Sequence, residues 1–354
     1  MLTALSFIFV LGVLIFIHEL GHFLVAKKVG IKVEKFSLGF PPNIYTKQVG
    51  ETTYCIGMIP LGGYVKMIGE NPDEEITGAD NEFMSKSILQ RAAVIFAGPF
   101  MNYVLAILLL IGIAFFGGRP IFDTEKIVVG QVTEDGPAFK SGLQENDIII
   151  DIDGTKVTDY DSLRVRINAK INEQLSLTWV RGLDTISTDI VTTTTPIPLE
   201  DGTLDSVGII GFYEKVISYE SFGLVESVKR GFYSAHIIVY ETVRFVVKLV
   251  SGKISPDMIG GPIFIAKQSG KEAEKGAQSL FFFMALLSVN LAVLNVLPIP
   301  ILDGGHLVFL TIEAIRGGNP LSMKARIWAQ QVGMVVLLTL IIFVTYNDIL
   351  RLFK

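Results

Sequence analysis

Long apolar runs alternate with polar segments along the chain. Residues 2–17, 92–116, 280–302 and 327–344 are predominantly apolar. Because a helix rises about 1.5 Å per residue, roughly 20 such residues cross a hydrocarbon core about 30 Å thick. The four runs therefore predict four transmembrane helices. The first run lacks a basic start and a small-residue cleavage site, so we expect a retained span and not a cleaved signal peptide.

A fifth apolar stretch, residues 225–250, differs because charged side chains follow one stripe of the predicted helix. The stripe consists of Glu226, Arg230, Glu241, Arg244 and Lys248. A helix with one charged face and one apolar face lies along a membrane surface instead of crossing it. The pattern therefore predicts an amphipathic helix at the interface.

Between the second and third runs the pattern changes to short alternating segments. Strand-like stretches are separated there by Gly, Asp and Asn, namely residues 127–132, 148–152 and 175–180. A helix is predicted over residues 160–169. Residues 142–149, followed by Asp153 and Gly154, resemble the fingerprint of a bacterial PDZ domain. We therefore expect one inserted α+β domain of this kind.

Residues 31–68 contain neither an apolar span nor a long amphipathic helix. Residues 54–56 and 62–67 have strand character around turn-forming Gly and Pro. We predict a β-hairpin or small sheet against the membrane. A disordered loop is the alternative, because the segment is rich in Gly and alternates only weakly.

Composition supports a membrane protein and excludes some kinds of site. Apolar residues make up 50% of the 354 residues and charged residues 18%, which is too apolar for an ordinary soluble chain of this length. Cys55 is the only cysteine, so an intramolecular disulfide or a cysteine-based zinc site is impossible. The formal net charge of −5 argues against nucleic acid as a partner.

The distribution of basic residues predicts the orientation in the membrane. Lysines and arginines cluster after the first run and between the third and fourth: Lys27, Lys28, Lys32, Lys35, Lys86, Arg91, Arg316, Lys324 and Arg326. Basic loops remain in the cytoplasm. Both termini and the inserted domain are therefore expected outside.

These signals together predict a polytopic α-helical membrane protein with four transmembrane helices, a membrane-associated β-hairpin or sheet and an inserted α+β domain. The predicted segments are the first span at 1–26, a cytoplasmic region at 27–90, the second span at 91–118, the inserted domain at 119–215, the interfacial helix and a Gly-Gly-Pro-Ile loop at 216–279, the third span at 280–306, a cytoplasmic loop at 307–326, and the fourth span with a short tail at 327–354.

His18, Glu19 and His22 form an H-E-x-x-H pattern at the end of the first run. Two imidazoles one helical turn apart can share a zinc ion, and the adjacent Glu can activate water. An ionisable side chain in a span costs roughly 2.5 to 3.5 kcal/mol on insertion scales, so these residues need a functional reason. The alternative is that they mark only the end of the helix.

Two histidines leave a catalytic zinc one protein ligand short. On chemistry alone both Asp303 and His306 are candidates, because the predicted topology brings them to the depth of His22. A plain turn leaving the membrane is the alternative for this segment. The fourth histidine, His236, lies on the amphipathic helix and is expected to be a bystander.

Pro298 and Pro300 precede this candidate ligand pair in the third run. Each must interrupt the helix, which frees backbone groups that only a wet or protein-lined cavity satisfies at membrane depth. The interruption therefore predicts a cavity beside the candidate ligands.

Together these segments resemble the site-2 protease family of intramembrane zinc metalloproteases over nearly the whole chain. The matching motifs are His18 to His22, residues 62–67, Ala97-Gly98-Pro99 with Asn102, the PDZ domain, Gly260-Gly261-Pro262-Ile263, and residues 295–305. The resemblance implies that His18, His22 and Asp303 bind Zn²⁺, that Glu19 is the general base and that Asn295 positions the substrate backbone.

The resemblance also implies an edge strand against which an unwound substrate pairs, formed by Gly63, Tyr64, Val65, Lys66 and Met67. The implied substrates are single-pass membrane proteins such as anti-sigma factors, or remnant signal peptides, in the lipid of a bacterial inner membrane. One PDZ domain replaces the tandem pair of other members, so a size-exclusion role of that pair does not transfer. The oligomeric state stays open.

Two rival functions belong to other classes. A metal or ion transporter also places His, Asp and broken helices at membrane depth, but the chain shows no inverted repeat. A membrane-tethered PDZ scaffold with a vestigial site is the other. Bound zinc together with loss of cleavage after replacement of Glu19 distinguishes the enzyme from both.

Overall fold

A computed structural model of the chain describes residues 1–70, 77–198, 204–256 and 259–352. The chain divides into two compact units. The first consists of Met1–Ala114 and Gly223–Lys354, and the second of Phe115–Phe222. The short tail predicted at the end of the chain includes residues 353–354, which lie outside the described residues.

The helices are, in chain order, α1 (Leu2–Lys28), α2 (Ile88–Gly117), α3 (Pro137–Lys140), α4 (Tyr160–Asn168), α5 (Leu224–Val250), α6 (Pro262–Glu274), α7 (Ala277–Val296), α8 (Asp303–Ile315) and α9 (Met323–Leu352). The strands are β1 (Val33–Val49), β2 (Thr52–Met67), β3 (Arg119–Phe122), β4 (Ile127–Val132), β5 (Ile148–Ile152), β6 (Thr155–Lys156), β7 (Gln174–Arg181), β8 (Asp184–Val191), β9 (Thr193–Pro198), β10 (Leu204–Ile209), β11 (Phe212–Glu214) and β12 (Val216–Glu220).

Four helices of the described chain are long and apolar enough to cross a membrane: Leu2–Lys28, Ile88–Gly117, Ala277–Val296 and Met323–Arg351. They coincide with the four predicted runs. Together with the hairpin and the inserted domain, they confirm the predicted fold class.

The third of these helices is shorter than the sequence indicates. The predicted span reaches residue 306, whereas α7 ends at Val296 and α8 begins at Asp303. Pro298 and Pro300 explain the break, because neither residue can donate a helical hydrogen bond. The predicted loop after this span is also partly helical, since α8 continues to Ile315.

The amphipathic helix α5 packs through a narrow face of small residues. Ser227, Gly231 and Ala235, spaced four apart, are buried. A Cβ atom added at Gly231 would overlap the side chain of Ile111 on α2, so the two helices approach closely. Farther along, Oγ1 of Thr242 donates to Oδ1 of Asn290 on α7 at 2.8 Å. Much of the apolar and charged remainder of α5 stays exposed.

Strands β1 and β2 form the predicted hairpin, and two segments of β2 pair with the same part of β1. Residues 35–38 of β1 pair with residues 53–56 on one side and with residues 63–66 on the other. Residues 53–56 also pair with the second half of β1. Residues 63–66 pair only with residues 35–38 among the described strands, so they form an edge of the sheet.

The second unit has its own core and its own sheets. One sheet has the strand order β11-β4-β5-β7-β8, with β6 paired to β5, and β9 with β10 and β3 with β12 form two further pairs. Trp179, Leu175 and Ile149 lie in a core to which Leu163 of α4 also contributes. The alternating pattern of apolar and polar residues therefore correctly predicts strands with one buried face.

Candidate metal centre

His18 and His22 lie one turn apart on α1 and point to the same place. Their Nε2 atoms are 3.2 Å apart. The two rings meet edge to face with a centroid distance of 4.8 Å. Helix α1 continues to Lys28, so the pattern lies within the helix and not at its end, and both side chains are largely shielded from solvent.

Asp303 joins the two histidines from the far end of the chain. Its Oδ2 lies 3.2 Å from Nε2 of His18, and its Oδ1 lies 3.6 Å from Nε2 of His22. Asp303 is the first residue of α8, directly after the proline-containing break. Cβ atoms added at Gly304 and Gly305 would overlap backbone atoms of residues 296–300, so only glycine lets α8 begin this close to the break.

The three side chains fit a zinc ion. With zinc–ligand distances near 2.0–2.1 Å, ligand atoms of a tetrahedral site lie roughly 3.3 Å apart, which matches the observed separations. Oδ2 of Asp303 is fully buried and has no hydrogen-bond donor. Nδ1 of His22 donates to the carbonyl oxygen of Val94 at 2.8 Å, which leaves its Nε2 lone pair facing the carboxylate. A lone pair of His22 and a carboxylate that face each other suit a bound cation.

Two glycines allow α1 and α2 to meet at this centre. A Cβ atom at Gly21 would overlap the carbonyl of Ala97. A Cβ atom at Gly98 would overlap Nε2 of His22 and lie 2.8 Å from Cε1 of His18. Helix α2 therefore reaches both imidazoles only because its residue 98 has no side chain.

Glu19 and the edge strand lie together at the same site. A Cβ atom added at Gly63 would be 3.0 Å from Cγ of Glu19, so the strand backbone contacts this side chain directly. Tyr64, Val65 and Met67 line the adjacent cavity. Lys66 does not line it and instead forms an ion pair with Glu34 at 2.8 Å.

The cavity has a volume of about 410 Å³ and also contains His18, Glu19, His22 and Asp303. Nine of the ten residues predicted from the sequence therefore line this cavity or, as Lys66 does, belong to the strand that borders it. Asn295 is the exception. It is the penultimate residue of α7, is partly buried and does not line the cavity.

The remaining histidines are separate from the cluster of possible metal ligands. His306 lines the cavity, and its ring meets that of Phe309 at 6.0 Å. The described residues form one group able to hold a metal, and it contains His18, His22 and Asp303 but not His306. His236 borders an apolar groove between α2, α5 and α7.

Sequence reasoning missed a buried ion pair beside the cavity. Arg91 donates to both carboxylate oxygens of Glu313 at 2.5 and 3.2 Å. Arg326 approaches the same carboxylate at 3.6 Å. From the sequence, Arg91 and Arg326 contribute only to the predicted orientation in the membrane. No sequence motif indicates that they pair with Glu313. The pair ties the start of α2 to α8, which carries Asp303.

Comparison with known proteins shows which family the chain resembles over most of its length. The family model described as Peptidase family M50 matches residues 6–340. The zinc metalloprotease RasP of Geobacillus kaustophilus is 30% identical over 99% of this chain and 98% of its own length. The regulator of sigma E protease of Haemophilus influenzae is 30% identical over 98% of each.

Among solved structures, the PDZ domain of the SdrC-like protein of Listeria monocytogenes is 22% identical and covers 27% of this chain and 93% of that one, with a TM-score of 0.20. The family model spans α1, the hairpin, the inserted unit and the Asp303 segment together, in agreement with the motifs that resemble site-2 proteases. The chain belongs to Peptidase family M50.

Proposed function

We propose that the chain is a zinc-dependent intramembrane endopeptidase in which His18, His22 and Asp303 hold the metal and Glu19 is the general base. One observation carries the proposal. Two imidazole Nε2 atoms and a carboxylate from a distant helix converge to 3.2–3.6 Å of one another, and both imidazoles belong to a helix long enough to span a membrane. Relatives that are named zinc metalloproteases support zinc as the cofactor.

When bound, zinc supplies a Lewis acid that polarises the scissile carbonyl and acidifies the attacking water. Glu19 lies one residue from His18 and takes the proton of that water. It then returns this proton to the leaving amine, which completes the hydrolysis. The close approach of α1 and α2 at Gly21 and Gly98 positions the two imidazoles, and Gly304 and Gly305 allow α8 to begin at Asp303.

The edge strand supplies the second requirement of cleavage inside a membrane. A transmembrane helix hides its carbonyls in its own hydrogen bonds, so the substrate must unwind near the scissile bond. Residues 63–65 pair with β1 on one side only among the described strand pairs, and Gly63 contacts Glu19. Pairing of the substrate with this edge would satisfy its exposed backbone groups beside the general base.

The proposed substrate class is supported by the short edge strand beside the cavity and by the relatives. A short extended segment of a single-pass membrane protein fits an edge of about four residues. A relative named regulator of sigma E protease supports an anti-sigma factor as substrate, and a remnant signal peptide has the same chemistry. Asn295 is proposed to contact substrate backbone; reaching the cavity would require movement at the end of α7.

The proposed location is a bacterial inner membrane. Basic residues after α1 and around the start of α9 favour a cytoplasmic hairpin, with both termini and the inserted domain outside. In this orientation the metal centre lies in the cytoplasmic half of the membrane, since His22 is followed by only six further residues of α1.

The test uses purified protein in detergent and a single-pass reporter with a fluorescent tag at each end. The parent should cut the reporter within its apolar segment, as mass spectrometry of the products would show. Incubation with a chelator should abolish cleavage, and stoichiometric zinc should restore it. Cleavage that survives complete removal of zinc would contradict the proposal, as would a parent protein that binds no zinc.

A further inference from the structure

Asn102 is a deeply buried amide beside the metal centre. It lies on α2 and only 1% of its surface is exposed. Its Nδ2 is 3.4 Å from Nδ1 of His18, the ring nitrogen that faces away from Asp303. Its Oδ1 is buried and has no hydrogen-bond partner. An amide oxygen buried without a donor is costly, so this arrangement requires an explanation.

The chemistry of a histidine ligand supplies one. A neutral imidazole that binds a metal through Nε2 carries its proton on Nδ1, and this N–H needs an acceptor that fixes the ring. His22 already has such an acceptor, the carbonyl oxygen of Val94 at 2.8 Å. For His18 the side chain next to Nδ1 is the amide of Asn102.

Both contacts come from one stripe of α2. Val94, Gly98 and Asn102 are spaced four residues apart and therefore share a face of the helix. Val94 contacts His22, Gly98 leaves room for both rings, and Asn102 contacts His18. Where α1 presents its two histidines, this stripe therefore provides the carbonyl oxygen of Val94 and the space left by Gly98.

A rotation of the amide by 180° about its Cβ–Cγ bond exchanges Oδ1 and Nδ2. The rotated amide presents Oδ1, an acceptor, to Nδ1 of His18. It also gives Oδ1 the donor that it otherwise lacks. Asparagine can meet this ring in either orientation, whereas an apolar residue of the same size can meet it in neither.

We propose that Asn102 is a positioning residue of the metal centre, whose Oδ1 accepts a hydrogen bond from Nδ1–H of His18 and so directs Nε2 of that ring toward zinc. The inference rests on the proposed function, because it takes His18 to be a zinc ligand. Loss of such an acceptor typically weakens metal binding by about 10- to 100-fold.

The experiment compares zinc affinities in purified protein by competition with a chromophoric chelator. Asn102→Leu keeps the branched shape of the side chain and removes the acceptor, so affinity should fall about 10- to 100-fold. Asn102→Asp keeps an acceptor and should stay within about threefold of the parent. Ser288→Ala is the matched control, because Oγ of Ser288 donates to the backbone carbonyl of Asn102 and not to the ring; its zinc affinity should equal that of the parent.

Thermal unfolding of the chelated proteins shows whether the Leu variant retains the fold. If the Asp variant cannot be purified, the zinc affinities of Asn102→Leu and Ser288→Ala still show whether the side chain of Asn102 supports metal binding. Parental zinc affinity in Asn102→Leu would overturn the inference. Equal losses in the Leu and Asp variants would overturn it as well, since the amide would then act as a donor or a filler.

The parent and a His18→Ala variant separate this inference from the proposed function. A parent that binds no zinc, or a His18→Ala variant that binds it normally, refutes the metal site itself. Tight binding by the parent, loss in His18→Ala and no effect of Asn102→Leu refute only the role of Asn102.

Discussion

Nε2 of His18 lies 3.2 Å from Oδ2 of Asp303, although the two residues belong to α1 and α8, near opposite ends of the chain. The contact depends on the break between α7 and α8, because Asp303 is the first residue of α8. Four residues explain this break: Pro298 and Pro300 end one helix, and Gly304 and Gly305 permit the tight start of the next.

The first prediction concerns the third zinc ligand. Replacing Asp303 by Ala should lower zinc content and activity together, because a carboxylate ligand is lost. Replacing His306 by Ala should leave zinc in place, because His306 is outside the candidate metal group. Metal analysis of the two purified variants checks this. Retained zinc in the Asp303 variant and loss in the His306 variant would reverse the assignment.

The second prediction concerns the approach of α2 to the metal centre. Gly98→Ala should displace His22, because the added Cβ would overlap its Nε2. We expect loss of bound zinc and a stability decrease of about 1–3 kcal/mol, as for overpacked cores. Gly112→Ala is the matched control on the same helix, since nothing lies within 4 Å of its Cβ position. Thermal unfolding and metal analysis of both variants measure the contrast; equal behaviour would contradict close packing at Gly98.

The third prediction concerns the edge strand. Proline cannot donate a backbone hydrogen bond, so Val65→Pro and Tyr64→Pro each remove one N–H of β2. Successive amides point to opposite edges, so one variant should lose cleavage with little loss of stability, and the other should destabilise the hairpin. Val65→Thr keeps both the donor and the strand propensity and should be mild.

Reporter cleavage, zinc content and thermal unfolding of the three variants are the readouts. Parental cleavage in both proline variants would show that the substrate is not held by strand pairing. Loss of zinc in the variant with intact stability would instead place the defect at the metal centre.

The sequence predicts those parts of this molecule that depend on local pattern. The strands at 127–132 and 148–152 coincide with β4 and β5, because alternation along a half-buried strand is a local property. The H-E-x-x-H spacing is equally local. Only the family resemblance distinguishes Asp303 from His306, since on residue type alone His306 rivals Asp303 because imidazole is the commoner zinc ligand.

Contacts between distant segments could not be predicted in this way. No local pattern indicates that the carbonyl of Val94 orients His22 or that Gly98 is the gap between two rings. The ion pair of Arg91 with Glu313 joins helices far apart in sequence, and each residue alone reads as a surface charge. Residues 35–38 of β1 pair with two separate segments of β2. The weak alternation of apolar and polar residues in this region does not indicate that arrangement.

The fourth prediction concerns orientation. In a background without Cys55, a cysteine at Leu183, fully exposed in the inserted unit, should react with an impermeant reagent on intact cells. A cysteine at Lys47, in the exposed part of β1, should react only after permeabilisation. Reaction of Lys47→Cys from outside would invert the topology.

The central claim is that Glu19 transfers a proton at a zinc ion which it does not bind. The decisive measurement is cleavage of the single-pass reporter by Glu19→Gln, together with the zinc content of the same preparation. Because general-base catalysis contributes typically 10²- to 10⁴-fold, the account predicts a rate lower by about that factor with zinc bound at the parental level. A Glu19→Gln protein that cuts the reporter at the parental rate would contradict it.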